Sequence, residues 1–167
     1  MHKQKRPMRW MPKALLATLP AFLMAACASI DCTMTSAVSC HYALRGGVDT
    51  LYDSLTVLTL RPDSNDVVML NRLSRFTSFS LPMSYAHDSD ELLFVTKDTS
   101  GVTRTDTVIV FKTNTPHFES VDCAPRYFHT ITNVTTTHHR IDSIAIANPN
   151  VDYDEKEDLL IYFHPGI

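Results

Sequence analysis

The chain has 167 residues, of which 44% are hydrophobic and 20% are charged, and its formal net charge is −3 at pH 7. This length is typical of one domain with a single core. Only four glycines are present, which excludes a glycine-rich phosphate loop or a dinucleotide-binding motif.

Residues 1–26 are predicted to be a lipoprotein signal peptide. Five Lys or Arg residues precede an apolar stretch, Ala14 to Ala26, which has the usual length for an export signal and is too short to span a bilayer. The stretch ends as LMAAC, with small residues directly before Cys27. This pattern predicts cleavage before Cys27 and a diacylglycerol on its thiol, so that the membrane is a partner through the lipid anchor. An ordinary signal peptide followed by an incidental cysteine is the alternative.

Residues 27–36 are predicted to be the lipidated N-terminus and its tether, and residues 37–167 a single β-sandwich domain. Cleavage removes five basic residues and no acidic ones, so the mature chain has a net charge of −8. A surface this acidic lacks the Lys and Arg that neutralise phosphates, which argues against nucleic acid as a partner. The expected location is the outer membrane, at its periplasmic face or at the cell surface.

The mature chain predicts strands and turns throughout. Alternating apolar positions, β-branched residues and turn clusters predict strands over residues 37–45, 55–61, 67–70, 76–81, 91–97, 102–112, 117–123, 126–135, 141–147 and 159–164. Gly101 suits a left-handed turn position, which makes the strands around it the clearest hairpin. The acidic stretch 152–158 is predicted to be one helical turn or a loop.

These strands predict an all-β fold, an antiparallel β-sandwich of two sheets and about eight to ten strands, immunoglobulin-like or related. No window has a sustained helical period. Within the first strand, alternate side chains share one face and are expected to be buried. They are Val38, Cys40, Tyr42 and Leu44.

Three cysteines remain once Cys27 is committed to lipid, namely Cys32, Cys40 and Cys123. No pair has CxxC spacing, so neither a thioredoxin-type redox site nor a zinc knuckle is indicated. Three thiols in an exported chain predict one disulfide and one unpaired cysteine. If Cys40 is buried in the first strand, Cys32 is available to pair with Cys123. Pairing of Cys40 with Cys123 is the alternative.

Five spaced motifs carry a family resemblance: SIDC just after Cys27, SCHYAL, SLPMSY, HFESVDCAPRYFH and IDSIAIANPNVDYDEKEDLLIYF. In these the chain resembles an uncharacterised family of small Bacteroidota envelope lipoproteins, a domain of unknown function, over essentially all of its mature length. The resemblance implies a β-sandwich-like lipoprotein whose early and late cysteines pair, which by position are Cys32 and Cys123. It implies no activity.

No catalytic motif of the HExxH, GxSxG or SxxK type is present, so we expect no catalytic residue and a protein that is not an enzyme. Successive side chains of a strand point to opposite faces, so His138 and His139 cannot chelate one ion together. One of them could join other histidines in a metal site, but solvated or backbone-bonded histidines are the favoured interpretation. The other candidates are His117, His129 and His164.

In and just before the acidic stretch, Asn150, Asp152 and Asp154, with Glu157 beyond them, resemble the alternating oxygen ligands of a calcium loop. Glu155 stands where the sharp turn of an EF-hand requires glycine, so a solvated acidic turn is favoured. We therefore expect no metal and no cofactor.

Four Asp-Ser/Thr-aliphatic tripeptides match the acceptor pattern for O-glycosylation of similar envelope proteins. The acceptor hydroxyls belong to Thr50, Ser54, Thr107 and Ser143. Asp beside Ser or Thr is also common at strand and turn boundaries, where the side chains bond locally. Modification and local structure remain two interpretations of the same pattern.

Two functions are consistent with these features. The preferred one is a non-enzymatic lipoprotein that binds or scaffolds another envelope protein through a sheet face, a sheet edge or a loop. The alternative is a surface glycan-binding accessory lipoprotein. Because Trp10 leaves with the signal peptide, a sugar platform would have to use tyrosines. Examples are Tyr52, Tyr85, Tyr127, Tyr153 and Tyr162.

Overall fold

The computed structural model describes residues 32, 37–60 and 66–165. The predicted signal peptide, Cys27 and most of the predicted tether lie outside these residues. Within the described part the chain forms ten strands: β1 Ser39–Arg45, β2 Ser54–Thr59, β3 Val67–Leu73, β4 Ser78–Pro82, β5 Ser89–Lys97, β6 Thr103–His117, β7 Arg126–Thr136, β8 Ile141–Ile146, β9 Asn150–Val151 and β10 Leu159–Phe163. The all-β prediction and its upper strand count are confirmed.

The strands form two sheets. One has the order β4-β1-β10-β8, and the other has the order β3-β2-β5-β6-β7-β9. Every neighbouring pair of the six-stranded sheet is antiparallel, including the predicted hairpin of β5 and β6. Gly101 lies in that turn with a φ of +93°, as its left-handed position requires. Among the described residues no helix has the length and apolar character needed to cross a bilayer.

Both sheets cover one hydrophobic core. From the four-stranded sheet, Tyr42 and Phe79 stack with ring centroids 4.9 Å apart, and each lies 6.1 Å from the ring of Phe94 in β5. The alternation predicted for the first strand is confirmed, because Val38, Cys40, Tyr42 and Leu44 are all buried. Each such apolar side chain contributes about 1.5–3 kcal/mol on burial, so this face fixes how the sheets pack.

The prediction of a purely antiparallel fold is wrong at one pair, because β1 and β10 are parallel, with Tyr42 opposite Leu159. Asp158, directly before β10, explains this pairing. Its buried carboxylate accepts the backbone N–H of His41 at 2.9 Å, and its own N–H donates to the His41 carbonyl at 2.9 Å. The first and last strands are thereby held side by side.

The strand predicted over residues 117–123 is also wrong. β6 continues through Pro116 to His117, and the chain then turns through residues 118–125, which we call the tip loop. β5 pairs with β6 only as far as Phe111, so the last residues of β6 have β7 as their strand partner. Pro116 is tolerated there because, on the side away from β7, β6 has no neighbouring strand among the described residues to which a backbone N–H would have to donate.

Two smaller differences concern the C-terminal part. The two-residue strand β9, which pairs with His129 and Thr130 of β7, is too short to give a sequence pattern. The acidic stretch that follows is a loop with Glu155 at a φ of +52°, which excludes the helical turn that the sequence also allowed. Pro82 ends β4, which lies at an edge of its sheet.

The turn after β1 generates a stability prediction. Gly46 has a φ of +87°, and a Cβ on it would lie 3.0 Å from Cδ1 of Tyr162, whereas a Cβ on Gly47 would meet nothing within 4 Å. Gly46→Ala should lower the free energy of unfolding by about 1–2 kcal/mol, because backbone strain and the crowded ring add. Gly47→Ala should change it by less than about 0.5 kcal/mol. Urea denaturation of both variants measures the difference, and equal values would contradict this account.

Candidate functional site

A charged cleft lies at the end of the domain where the β5–β6 hairpin turns. It has a cavity of about 100 Å³ and is lined by Asp53, Asp98, Arg104, His139, Arg140, His164 and Pro165. Arg140 forms its floor and is only 6% exposed. Its Nε and Nη2 donate to Asp53 Oδ2 at 3.1 and 3.0 Å, and its Nη1 donates to the His164 carbonyl. The guanidinium is therefore fixed before any ligand arrives.

The backbone of Arg140 is held by a buried carboxylate, Asp106 of β6. Its Oδ1 accepts the hydroxyl of Thr137 at 2.9 Å and the N–H of His139 at 2.7 Å, and its Oδ2 accepts the N–H groups of Arg140 and Ile141 at 2.8 and 2.9 Å. Burial alone would raise the pKa of Asp106, but these bonds outweigh it and lower that pKa below its ordinary value. The carboxylate fixes the segment where the chain leaves β7 for β8.

The rim of the cleft is more exposed than its floor. Asp98 accepts three bonds within the hairpin turn, the shortest from the Ser100 hydroxyl at 2.6 Å, which is the main reason that the pKa of Asp98 is lowered. Arg104 lies 3.5 Å from Asp98, and the His139 ring extends into solvent. A ligand the size of one side chain could therefore contact both a negative group, Asp98, and a positive group, Arg104.

The opposite end of the six-stranded sheet carries an aromatic cluster, which we call the aromatic end: Tyr85, His117, Tyr127, Phe128 and Tyr153. His117 stacks on Phe128 with centroids 4.4 Å apart, and Tyr153 meets Phe128 edge-on at 4.9 Å. Tyr85 stacks on Tyr127 at 4.8 Å. The Tyr85 and Tyr153 rings are exposed, so the cluster presents aromatic surface to solvent.

A salt bridge and a hydrogen bond link the tip loop to this aromatic end. Glu119 accepts the Tyr153 hydroxyl at 2.7 Å and lies 3.8 Å from Nε of Arg126. The Arg126 guanidinium lies 4.9 Å from the centre of the Tyr153 ring, within cation–π range.

Beneath the aromatic end lies a buried polar cluster. The Lys112 side chain is fully buried, with its Nζ 3.1 Å from Asp90 Oδ2 and donating to the His87 carbonyl at 3.0 Å. His129 Nδ1 lies 2.7 Å from Asn114 Oδ1, so the proton is assigned to Nδ1. Burial, and secondarily the charge of Lys112, lower the pKa of His129 to about 4. The imidazole is therefore neutral at pH 7.

The cysteines divide as the family resemblance implies. Cys32 and Cys123 are disulfide-bonded, and Cys123 belongs to the tip loop. Cys40 is a free thiol buried in β1, and burial raises its pKa well above the ordinary value. A thiol held in its neutral form this deep in the core is unreactive.

The four predicted O-glycosylation hydroxyls are all half-buried, three of them in strands and one in the bend before β2. They are Thr50, Ser54, Thr107 and Ser143. Two of the preceding aspartates have structural partners, since Asp53 pairs with Arg140 and Asp106 holds the backbone after β7. Ser143 donates to Asp142 at 3.1 Å. Local bonding therefore accounts for part of the pattern, and modification stays a prediction.

The histidines considered for a metal site lie at opposite ends of the sheet. His117 and His129 belong to the aromatic end and its polar cluster, whereas His138, His139 and His164 lie near the cleft. Within the described residues no three His, Cys, Asp or Glu side chains are placed to share a metal ion. In the acidic loop, Asp152 and Asp154 accept backbone N–H groups two residues further on, and Glu157 pairs with Arg45.

Three residues that organise the cleft and the aromatic end were not identified from the sequence: Asp106, Lys112 and Arg140. A signal existed for the first two, because Asp106 and Lys112 are in phase with Val108 and Val110 and so share the inward face of β6. The partners of these charges lie on other elements, and no local pattern identifies them.

Comparisons with known proteins add one finding. Residues 54–163, from the start of β2 to the end of β10, match a family model described as "Family of unknown function (DUF6452)". No curated protein and no solved structure matches the chain. The early cysteines and β1 precede the matched residues.

The Asp106 anchor generates a prediction. In Asp106→Asn one oxygen becomes an NH₂ group that cannot accept, which leaves two buried donors without partners and should lower the free energy of unfolding by about 2–4 kcal/mol. The exposed Asp142 provides the control, and Asp142→Asn should change stability by less than about 0.5 kcal/mol. Because the folded-state pKa of Asp106 is lowered, its contribution is present above pH 4 and is lost as the pH falls further. Urea titrations at pH 7 and pH 3 measure both effects.

His129 generates a second prediction. Its pKa is about 4 when folded and about 6.5 when unfolded, so unfolding takes up a proton between these values and stability falls as the pH drops from 6.5 to 4. The loss amounts to roughly 3 kcal/mol at most. His129→Gln cannot take up that proton and should have a flatter pH dependence, whereas His87→Gln, with an exposed side chain, should match the parent. A parental slope in His129→Gln would refute the assignment.

Proposed function

Because the chain belongs to a family of unknown function, DUF6452, we propose its function from its own residues. It is a lipoprotein of a Bacteroidota cell envelope, anchored to the outer membrane through Cys27, and it binds or scaffolds another envelope protein without catalysing a reaction. Its domain is a β-sandwich, immunoglobulin-like or related. The single core beneath both sheets supports that fold assignment.

The observation that carries the proposal is the charged cleft. Arg140 is held by Asp53 and by the His164 carbonyl. Its side chain is therefore already ordered, and binding of a partner costs no further conformational entropy there. Arg104 and Asp98 at the rim offer both charge signs, and the cavity of about 100 Å³ accommodates one side chain of a partner. Paired charges around a small recess favour recognition of a complementary polar protein surface.

The position of the cleft also supports the proposal. Ala37, where the described domain begins after the predicted tether, bridges to Tyr127 at the start of β7. The cleft lies at the other end of β6, a 15-residue strand that spans roughly 45 Å. A domain tethered near Tyr127 therefore presents the cleft away from its attachment point.

Glycan binding is the second candidate, and the aromatic end is the observation that favours it. Exposed Tyr85 and Tyr153 rings provide flat apolar faces of the kind that sugar rings stack on. Arg126 and Glu119, adjacent to Tyr153, could bond sugar hydroxyls. The two candidates use different surfaces, so substitutions separate them.

Lipid attachment has a direct test. Cys27→Ser removes the thiol that would carry the diacylglycerol, so cells fed an alkyne fatty acid should label the parent protein and leave the variant unlabelled. Cys40→Ser is the control, because its buried thiol takes no part in anchoring and label should persist. Label on Cys27→Ser, or none on the parent, refutes lipidation at this residue.

Partner capture distinguishes the two binding functions. From detergent-solubilised envelopes, the parent should retain one reproducible protein, and Arg104→Gln should reduce its yield about tenfold by removing a charge from the cleft. Tyr153→Ala, at the aromatic end, should leave that yield unchanged. Loss of glycan-array retention in Tyr153→Ala, with no protein captured by the parent, would instead support the second candidate.

A further inference from the structure

The tip loop exposes large apolar side chains at one end of the domain. Phe118 is 65% exposed and Val121 is 98% exposed. The exposed Tyr153 donates its hydroxyl to Glu119 of this loop, and the exposed Tyr85 stacks on Tyr127, two residues after the loop ends. Single exposed apolar residues are ordinary, but four around one loop form a surface that water solvates poorly.

The chain enters the domain at this same end. Ala37 bridges to Tyr127, and the Val38 carbonyl accepts the N–H of Met83, two residues before Tyr85. Cys32, the one described residue of the predicted tether, is disulfide-bonded to Cys123 of the tip loop. Cys32 is five positions after Cys27, which allows at most about 18 Å of extended chain between them.

We propose that the tip loop is a second membrane contact, in which Phe118 and Val121 enter the lipid headgroup boundary while Tyr85 and Tyr153 lie at its surface. The inference rests on the proposed lipidation of Cys27, because the disulfide then keeps the loop within reach of the bilayer. Aromatic side chains are favoured at that boundary, where an apolar ring and a polar group are both accommodated. The diacyl chains anchor the protein, and the loop sets its orientation, with the cleft pointing outward.

The charge around the loop specifies the lipid. Residues 152–157, which include Tyr153, contain Asp152, Asp154, Glu155 and Glu157 with one lysine. Anionic headgroups would repel this segment. The contact therefore fits a zwitterionic lipid surface, and its strength comes from apolar burial.

Tryptophan fluorescence tests the orientation in the intact lipoprotein. Trp10 is the single tryptophan and leaves with the signal peptide, so Phe118→Trp gives the mature chain one reporter. Tyr52→Trp is the matched control, because Tyr52 is 68% exposed and lies beside Asp53 at the cleft end. Both proteins are purified from membranes with their acyl chains and reconstituted into liposomes of brominated phosphatidylcholine.

We expect the lipid bromines to quench Phe118→Trp at least about threefold more than Tyr52→Trp, because an indole on the tip loop would lie at the headgroup boundary and one at the cleft end would lie in water. Val121→Trp repeats the test at a side chain with no packing to lose. Equal quenching at both ends overturns the inference and leaves the proposed lipidation of Cys27 unaffected. Quenching of Phe118→Trp that appears only when anionic lipid is added to the liposomes has the same consequence. A mass spectrum of the purified parent without acyl chains overturns the lipidation and the inference together.

Discussion

Two buried charges on one strand constrain the rest of this domain. The inward face of β6 carries Asp106, Val108, Val110 and Lys112 in alternation, so an acid and a base stand at the two ends of a buried apolar pair. An uncompensated charge at either position would cost several kcal/mol. The surrounding chain must therefore supply partners, and it does so differently at each end.

At the Asp106 end, compensation comes mainly from backbone. Three consecutive N–H groups, of residues 139–141, converge on the carboxylate just where the chain passes from one sheet to the other. That convergence fixes the backbone of Arg140. Its guanidinium in turn donates to Asp53 and to the His164 carbonyl, which belong to two further segments. A requirement of the core thus produces the fixed guanidinium that forms the floor of the cleft.

At the Lys112 end, compensation comes from Asp90 and from the His87 carbonyl, both near the start of β5. The charge of Lys112 also helps to keep His129 neutral, and Asn114 joins that histidine to the same carbonyl. The loop that carries His87 also carries Tyr85, which stacks on Tyr127. The polar cluster inside and the aromatic surface outside are therefore held by the same segments.

Features that depend only on residues close together in the chain could be predicted from the sequence. Period-two alternation placed nine of the ten strands and the burial of Cys40, and Gly101 marked the hairpin turn. Tertiary structure alone decided the parallel pairing of β1 with β10 and the partners of Asp106 and Lys112. His41 and Asp158 are 117 residues apart, and Asp106 and Arg140 are 34 apart. Side-chain alternation shows which face a residue occupies, but hydrogen bonds and ion pairs across such separations form only when packing of the two sheets brings the groups together.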